Sequence, residues 1–151
     1  MNPLLLTNLF YTIAISNGTS LPHQYPELMA LAQVESGDRD YVIGKKGEVS
    51  CYQILPSTWK QYACGKYNVH YWSRKQWSAQ VALRHSMWLG KEFSQESGYN
   101  KAPNSLEFYC LWNLGLEGFR KYSFSVQAVP SRTRNAAQRY QNLVYLYYSK
   151  N

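Results

Sequence analysis

Apolar side chains recur at helical spacing along most of this chain, and that spacing restricts the fold more than any other feature of the sequence. The clearest run begins at Pro26, a residue favoured in the first turn of a helix. The residues that follow it place one face of the helix at the i, i+3, i+4 and i+7 positions: Leu28, Leu31, Ala32 and Glu35. No segment alternates apolar and polar residues convincingly, as a half-buried strand does. The sequence therefore predicts a mainly α-helical protein.

Four more helices are predicted from prolines, capping residues and apolar spacing. They cover residues 56–62, residues 73–94, a segment that begins at 104 or 105, and residues 131–148. Asn104 or Ser105 is suited to cap the third of these and Ser131 the fourth. The chain is expected to turn after Gly115 and Gly118. A polar, glycine-punctuated stretch predicts a loop, or a small β-hairpin near residues 41–54.

The length of 151 residues is that of one ordinary domain, so a single domain over residues 1–151 is predicted. The apolar stretch from Leu4 to Ser16 is too short to span a bilayer. Because no Lys or Arg precedes it, we favour a first helix within residues 1–20, with a signal segment as the alternative. No later stretch is long enough to cross a membrane.

Charge and aromatic content narrow the choice of partner. Sixteen Lys and Arg against nine Asp and Glu give a formal net charge of +7. This charge favours an anionic partner, such as nucleic acid, a membrane face or an acidic cell-wall polymer, unless it serves only solubility. Fourteen Tyr and five Trp offer flat faces on which sugar rings or bases stack. Composition alone does not choose among these partners.

The cysteines do not indicate a metal site. Cys51, Cys64 and Cys110 form no C-x-x-C pair and have no histidine at zinc spacing. Cys51 and Cys64 either pair across a short loop in an oxidising compartment or remain buried thiols. We predict neither a metal nor a cofactor.

Glu35 is the residue best suited to acid catalysis. It falls at the end of an apolar helix face, immediately before Ser36 and Gly37. Partial desolvation at such a place favours the protonated carboxyl group, which a glycosidase needs to protonate its leaving oxygen. The alternative is a surface glutamate at a frayed helix end.

Four short blocks of sequence reinforce the first interpretation. They are Glu35-Ser36-Gly37, the segment 47–58 (GEVSCYQILPST), the segment 111–115 (LWNLG) and the segment 129–134 (VPSRTR). In this order they resemble the signature of the lytic transglycosylase and goose-type lysozyme families, over about residues 22–148. The resemblance implies a lysozyme-like α+β single domain, with a small β-hairpin or loop lobe beside a cleft.

The resemblance also implies a reaction and a site. Families of this kind cleave the β-1,4 bond between N-acetylmuramic acid and N-acetylglucosamine in peptidoglycan with one glutamate, here Glu35. An anhydro ring closes at the sugar's 6-hydroxyl, or water attacks and gives a lysozyme product. A two-carboxylate mechanism would need a second acid; Asp38, Asp40 and Glu48 are available on the following loop, none at a distinctive position. No route needs a metal or cofactor.

Five further residues are predicted to bind the glycan: Ser36, Tyr52, Gln53, Trp112 and Asn113. Gln53 offers a donor and an acceptor to an acetamido group. Ser36 supplies a hydrogen bond to Glu35 or to the substrate, and Asn113 does the same from the other side of the cleft. Tyr52 and Trp112 stack on pyranose faces, or else they belong to the core.

The chain departs from the family pattern at four positions. Ser50 replaces the second glycine, Tyr52 a usual methionine and Trp112 a usual tyrosine. Ala136 stands where the family often has a tyrosine near the catalytic glutamate, and Tyr140, one turn later, is the candidate to replace its hydroxyl. This last departure predicts a slow enzyme whose activity Ala136→Tyr raises.

Two other classes of function remain open. A non-catalytic glycan-binding module would keep the cleft and lose the acid. A nucleic-acid-binding domain would need cations gathered on one face, and Arg132, Arg134 and Arg139 are only partly so arranged. We therefore expect peptidoglycan strands as the partner and no nucleic acid. The resemblance implies a monomer without a membrane span, in the cell envelope, the periplasm or the medium, or encoded by a phage.

Overall fold

The computed structural model describes residues 22–63 and 67–150, and helices dominate them. After a 3-10 turn at Pro22–Gln24, the described α-helices are α1 (Pro26–Ser36), α2 (Pro56–Tyr62), α3 (Val69–Trp72), α4 (Lys75–Glu96), α5 (Ser105–Arg120) and α6 (Ser131–Ser149). The prediction of a mainly α protein is confirmed, and only the short α3 was not foreseen. The helix or signal segment predicted within residues 1–20 lies outside the described residues. None of the described helices combines the length and the apolar character needed to cross a bilayer.

Helix α1 forms as the sequence predicts. Pro26 lies in its first turn, and Gly37 ends it in the left-handed region, with φ of 67°. Glycine is favoured at such a C-terminal position because it has no Cβ to clash. Leu28 and Leu31 are fully buried and Ala32 almost so, which confirms the apolar face. That face fixes α1 on its neighbours and holds its last turn, where Glu35 lies, in a defined place.

The segment between α1 and α2 contains no strand. Where a hairpin was one alternative, the structure has two isolated antiparallel bridges, Ile43 with Val49 and Val49 with Ile54. Val49 donates to Ile54 O at 2.9 Å and accepts from Ile54 N at 2.8 Å. Val49 and Ile54 are both buried. Both bridges include Val49, so the loop folds back on itself around this buried side chain.

Ser50 has a backbone conformation that favours glycine. Its φ is 72°, in the left-handed region, where the resemblance expects glycine. Its side chain is fully buried and its Oγ accepts a hydrogen bond from Tyr52 N at 3.2 Å. The hydroxyl therefore offsets part of the strain that the side chain imposes.

We expect Ser50→Ala to destabilise the protein more than Ser50→Gly. Alanine keeps the strained backbone and leaves the Tyr52 N–H without its acceptor, which costs about 1–3 kcal/mol. Glycine loses the same hydrogen bond but releases strain of roughly 1–3 kcal/mol. Urea unfolding of both variants measures the difference. Equal free energies of unfolding would show that φ at this position carries no strain.

The described residues form two compact units, one up to His85 and one from Ser86 onward. In the second unit α5 and α6 pack on each other. Tyr140 of α6 is fully buried, with its ring 5.7 Å from the rings of both Phe108 and Tyr109 of α5. The prediction that residues 1–151 form a single domain stays a prediction.

The sequence expectation is confirmed for the cap of α5 and is wrong for the cap of α6. Asn104 caps α5: its Oδ1 accepts from Glu107 N at 2.9 Å and its N–H donates to Glu107 Oε2 at 2.8 Å. The predicted turn after Gly115 and Gly118 is confirmed: the helix kinks at Gly115 (φ 74°) and ends at Arg120, and a turn follows at residues 121–124. Pro130 rather than Ser131 holds the capping position of α6.

Candidate active site

The predicted site residues fall in both units. The first unit contains Glu35, Ser36, Tyr52 and Gln53, and the second contains Trp112 and Asn113. Glu35 lies in the last turn of α1 and is half-buried. A general acid must be accessible to its substrate, and a half-buried residue meets that requirement.

Ser36 has a structural use for its hydroxyl. The side chain is buried; Oγ donates to Ala32 O at 3.1 Å and accepts from Arg39 N at 3.1 Å. Arg39 Nε also donates to Ser36 O at 2.7 Å. These bonds satisfy groups at the end of α1 and set the path of the chain that leaves Glu35. These bonds give Ser36 a positioning role in the structure; that it also binds substrate stays a prediction.

Two of the three acidic residues on the loop are engaged in ion pairs. Lys75 Nζ lies 2.7 Å from Asp38 Oδ1 and 3.5 Å from Asp40 Oδ1. Partial burial lowers the pKa of Lys75, but the hydrogen bond to Asp38 and the charges of both carboxylates outweigh it and raise the pKa overall. Asp38 and Asp40 therefore tie the loop to the start of α4.

Glu48 and Gln53 converge on Gly44. Gln53 Nε2 donates to Ser50 O at 2.9 Å and to Val42 O at 3.4 Å, so the backbone holds the carboxamide. A methyl carbon added to Gly44 would lie 2.4 Å from Glu48 Oε2 and 2.5 Å from Gln53 Oε1. Both oxygens thus occupy the space that a larger residue at position 44 would fill. With its amide protons donated, Gln53 presents its oxygen as an acceptor.

We expect Gly44→Ala to reduce the wall cleavage that the sequence predicts, while changing stability little. The new methyl group displaces only the ends of two flexible side chains, so the free energy of unfolding should change little. The oxygens of Glu48 and Gln53, however, must move. A misplacement of about 1 Å costs up to roughly 100-fold in rate. Cleavage assays and thermal unfolding of the same preparation separate the two effects. A large fall in melting temperature would mean that the glycine serves folding instead.

Two alternatives were left open for Tyr52, stacking on a sugar or a place in the core, and its burial favours the core. Its side chain is fully buried, and burial strongly raises the pKa of its phenol. A ring with no exposed face has none to offer a pyranose. Tyr52 is a core residue that anchors the loop next to Gln53.

In the second unit the third and fourth sequence blocks are joined directly. Asn113 is exposed, and its Oδ1 accepts a hydrogen bond from Thr133 Oγ1 at 2.9 Å. Trp112 is half-buried, with its ring 6.2 Å from that of Phe108. Thr133 was not singled out from the sequence, although it is the threonine of the fourth block. Its bond uses the amide oxygen of Asn113 and not the amide protons.

Ala136 lies on a packed surface of α6. It is only 8% exposed. Tyr140, the candidate to replace the missing hydroxyl, is fully buried against Phe108 and Tyr109. A ring at position 136 must therefore displace neighbouring atoms.

We expect Ala136→Tyr to lose about 1–3 kcal/mol of stability, the usual cost of inserting bulk into a packed site. Any gain in activity must therefore be assayed well below the melting temperature of the variant. Ala136→Ser, which adds a hydroxyl without the ring, serves as the matched control. Unchanged stability of the tyrosine variant would show that the ring has an open space to enter.

Cys51 and Cys110 are buried and free. The pairing of Cys51 with Cys64, which was one alternative, involves a residue outside the described ones. Burial raises the pKa of Cys51 to about 12 and that of Cys110 to about 11. Within residues 22–63 and 67–150, His, Cys, Asp and Glu form no group of three or more that would hold a metal ion.

Comparison with known protein families, curated proteins and solved structures finds no match to this chain. The family resemblance therefore depends on the four sequence blocks.

Proposed function

We propose that this protein cleaves the β-1,4 bond between N-acetylmuramic acid and N-acetylglucosamine in peptidoglycan. The observation that carries the proposal is the setting of Glu35. It is half-buried in the last turn of α1, and its neighbour Ser36 fixes the chain beyond it through bonds to Ala32 and Arg39. Such a carboxyl group is held in place without losing access to solvent.

In the proposed mechanism Glu35 acts twice. It first gives its proton to the glycosidic oxygen, and the bond from C1 of the muramic acid to that oxygen breaks. The substrate's own acetamido group stabilises the positive charge at C1. The Glu35 carboxylate then takes the proton of the 6-hydroxyl, whose oxygen attacks C1 and closes a 1,6-anhydro ring. Protons balance, because Glu35 ends the cycle as it began.

Gln53 is the proposed partner of the acetamido group. Its amide protons are donated to Ser50 O and Val42 O, which orients its oxygen. That oxygen is suited to accept the N–H of an acetamido group. Around it we propose a lysozyme-like architecture in which residues 37–55 form the loop lobe.

Hydrolysis by a second carboxylate is the alternative, and one observation favours Glu48 as that residue. Asp38 and Asp40 are paired with Lys75, whereas Glu48 Oε2 lies against Gly44 beside Gln53 and accepts from Lys46 N at 2.8 Å. In this version Glu48 activates water. A binding module that keeps the cleft without catalysis is the third possibility.

One experiment separates the three. Purified cell-wall sacculi are incubated with the protein, and the released sugars are identified by mass spectrometry. Anhydro ends support the transglycosylase, reducing ends support the hydrolase, and binding without release supports the module. Heat-denatured protein and sacculi from which the stem peptides have been removed are the controls. We further propose that the protein acts as a monomer, in the cell envelope, the periplasm or the medium.

A further inference from the structure

The first unit contains a pocket with mainly aromatic walls. Its lining residues lie outside the four sequence blocks. Its volume is about 190 Å³. We define the aromatic pocket by six of its lining residues: Trp59, Tyr62, Tyr71, Trp77, Gln80 and Arg84. Helices α2, α3 and α4 supply them, so three separate elements shape it.

The walls and the rim of the aromatic pocket differ in chemistry. Trp59 is buried at the base, while Tyr71 and Trp77 are half-buried and meet edge to face, with ring centroids 5.7 Å apart at 87°. Gln80 and Arg84 are exposed on one side of α4, one turn apart. The pocket therefore has apolar, aromatic walls and a polar rim with one amide and one cation. Concave apolar sites with a few convergent polar groups are the usual form of a small-molecule site.

Arg84 is held in a geometry suited to a carboxylate. Its Nη1 donates to Tyr62 O at 3.0 Å, at the end of α2. Within the described residues its Nε and Nη2 have no protein partner. Two guanidinium N–H groups side by side match the two oxygens of a carboxylate. Burial lowers the pKa of the nearby His85 to about 4, so that ring is neutral at neutral pH and the positive charge at the rim belongs to Arg84.

The size and the charge of the pocket select one class of ligand. Pockets for drug-sized ligands measure roughly 300–1,000 Å³, so 190 Å³ has room for one ring rather than a chain of rings. A nucleic acid needs a row of cations along its backbone, whereas the described rim provides one. A sugar ring has an apolar face for the aromatic walls, and an acetamido group matches Gln80.

We propose that the aromatic pocket binds a single acidic amino-sugar ring, with its carboxylate on Arg84 and its acetamido group on Gln80. The sugar of this kind in the proposed substrate is N-acetylmuramic acid, which differs from N-acetylglucosamine by a lactyl carboxylate; to that extent the identity of the ligand rests on the proposed function. The pocket would bind one ring of the wall polymer and would act in addition to the site formed by the residues around Glu35.

Calorimetric titration with free monosaccharides tests this. N-acetylmuramic acid, N-acetylglucosamine and adenosine monophosphate are the probes, and neither sugar contains a bond that the protein could cleave. We expect N-acetylmuramic acid to bind about tenfold or more tightly than N-acetylglucosamine, because one charge-assisted pair is worth that factor. Arg84→Gln should remove the preference for N-acetylmuramic acid, and Gln80→Ala should lower the affinity for both sugars. Arg74→Gln, an exposed arginine just before α4, leaves all affinities unchanged.

Three results would overturn the proposal: equal affinity for the two sugars, no effect of Arg84→Gln, or preferential binding of the nucleotide. The binding measurement and the wall-cleavage assay test the pocket and the proposed function separately. Release of wall fragments with no Arg84-dependent binding would leave the proposed function standing without this pocket. Arg84-dependent binding with no release would leave the pocket and remove the catalysis.

Discussion

Replacement of Glu35 by glutamine is expected to abolish release of wall fragments and to leave the protein folded. Glutamine has the shape of glutamate but no acidic proton, and general acid–base catalysis by one side chain contributes about 10²–10⁴ in rate. The buried face of α1, led by Leu28 and Leu31, is not altered. Mass spectrometry of released sugars measures the activity, and circular dichroism with thermal unfolding measures the fold.

Glu48→Gln is the matched control, since it makes the same chemical change at the other candidate carboxylate of the loop. A transglycosylase should retain most of its activity in this variant, whereas a hydrolase that uses Glu48 as its base should lose it. If Glu35→Gln cleaves walls at the ordinary rate, Glu35 is not the acid and the mechanism proposed above is wrong.

The largest expected effect on stability is that of Phe93→Ala. Phe93 is fully buried in the second unit, stacked 6.4 Å from Phe119 and edge to face at 5.5 Å from Phe124. Removal of such a ring leaves a cavity and costs about 3–5 kcal/mol, a large part of the stability of a domain of this size. Urea unfolding measures the loss.

Met87→Ala on the same helix is the control for Phe93→Ala, because Met87 is 40% exposed and its truncation should change the free energy of unfolding by only about 0.5 kcal/mol. A cost below about 1 kcal/mol for Phe93→Ala would mean that the surrounding rings close over the space. The aromatic cluster would then be less rigid than its geometry implies.

The features that the sequence predicted correctly depend on nearby residues. The start of α1 at Pro26, its end at Gly37 and the Asn104 cap of α5 each require only a few neighbours in the chain. The break at Gly115 was also predicted from a local signal. One more helical turn, with Leu116 and Phe119 buried, follows it before the chain turns after Arg120.

The features that were missed depend on residues far apart in the chain. Tyr52 was placed in the site because an aromatic residue near Gln53 suits a sugar, and nothing local indicated that its ring is fully buried. The pairing of Asp38 and Asp40 with Lys75 spans more than thirty residues. The aromatic pocket combines three helices. Contacts of this kind are fixed by packing, which a single sequence does not reveal.

The two buried thiols allow the opening of each unit to be timed separately. Cys51 belongs to the first unit and Cys110 to the second, and burial with a raised pKa keeps both unreactive while the protein is closed. With Cys64 replaced by serine, a thiol reagent modifies each remaining cysteine only when its surroundings unfold. The two labelling rates, resolved by peptide mass analysis, then give two local free energies of opening. Equal values would mean that the chain opens as one cooperative body, and unequal values would identify the unit that opens first.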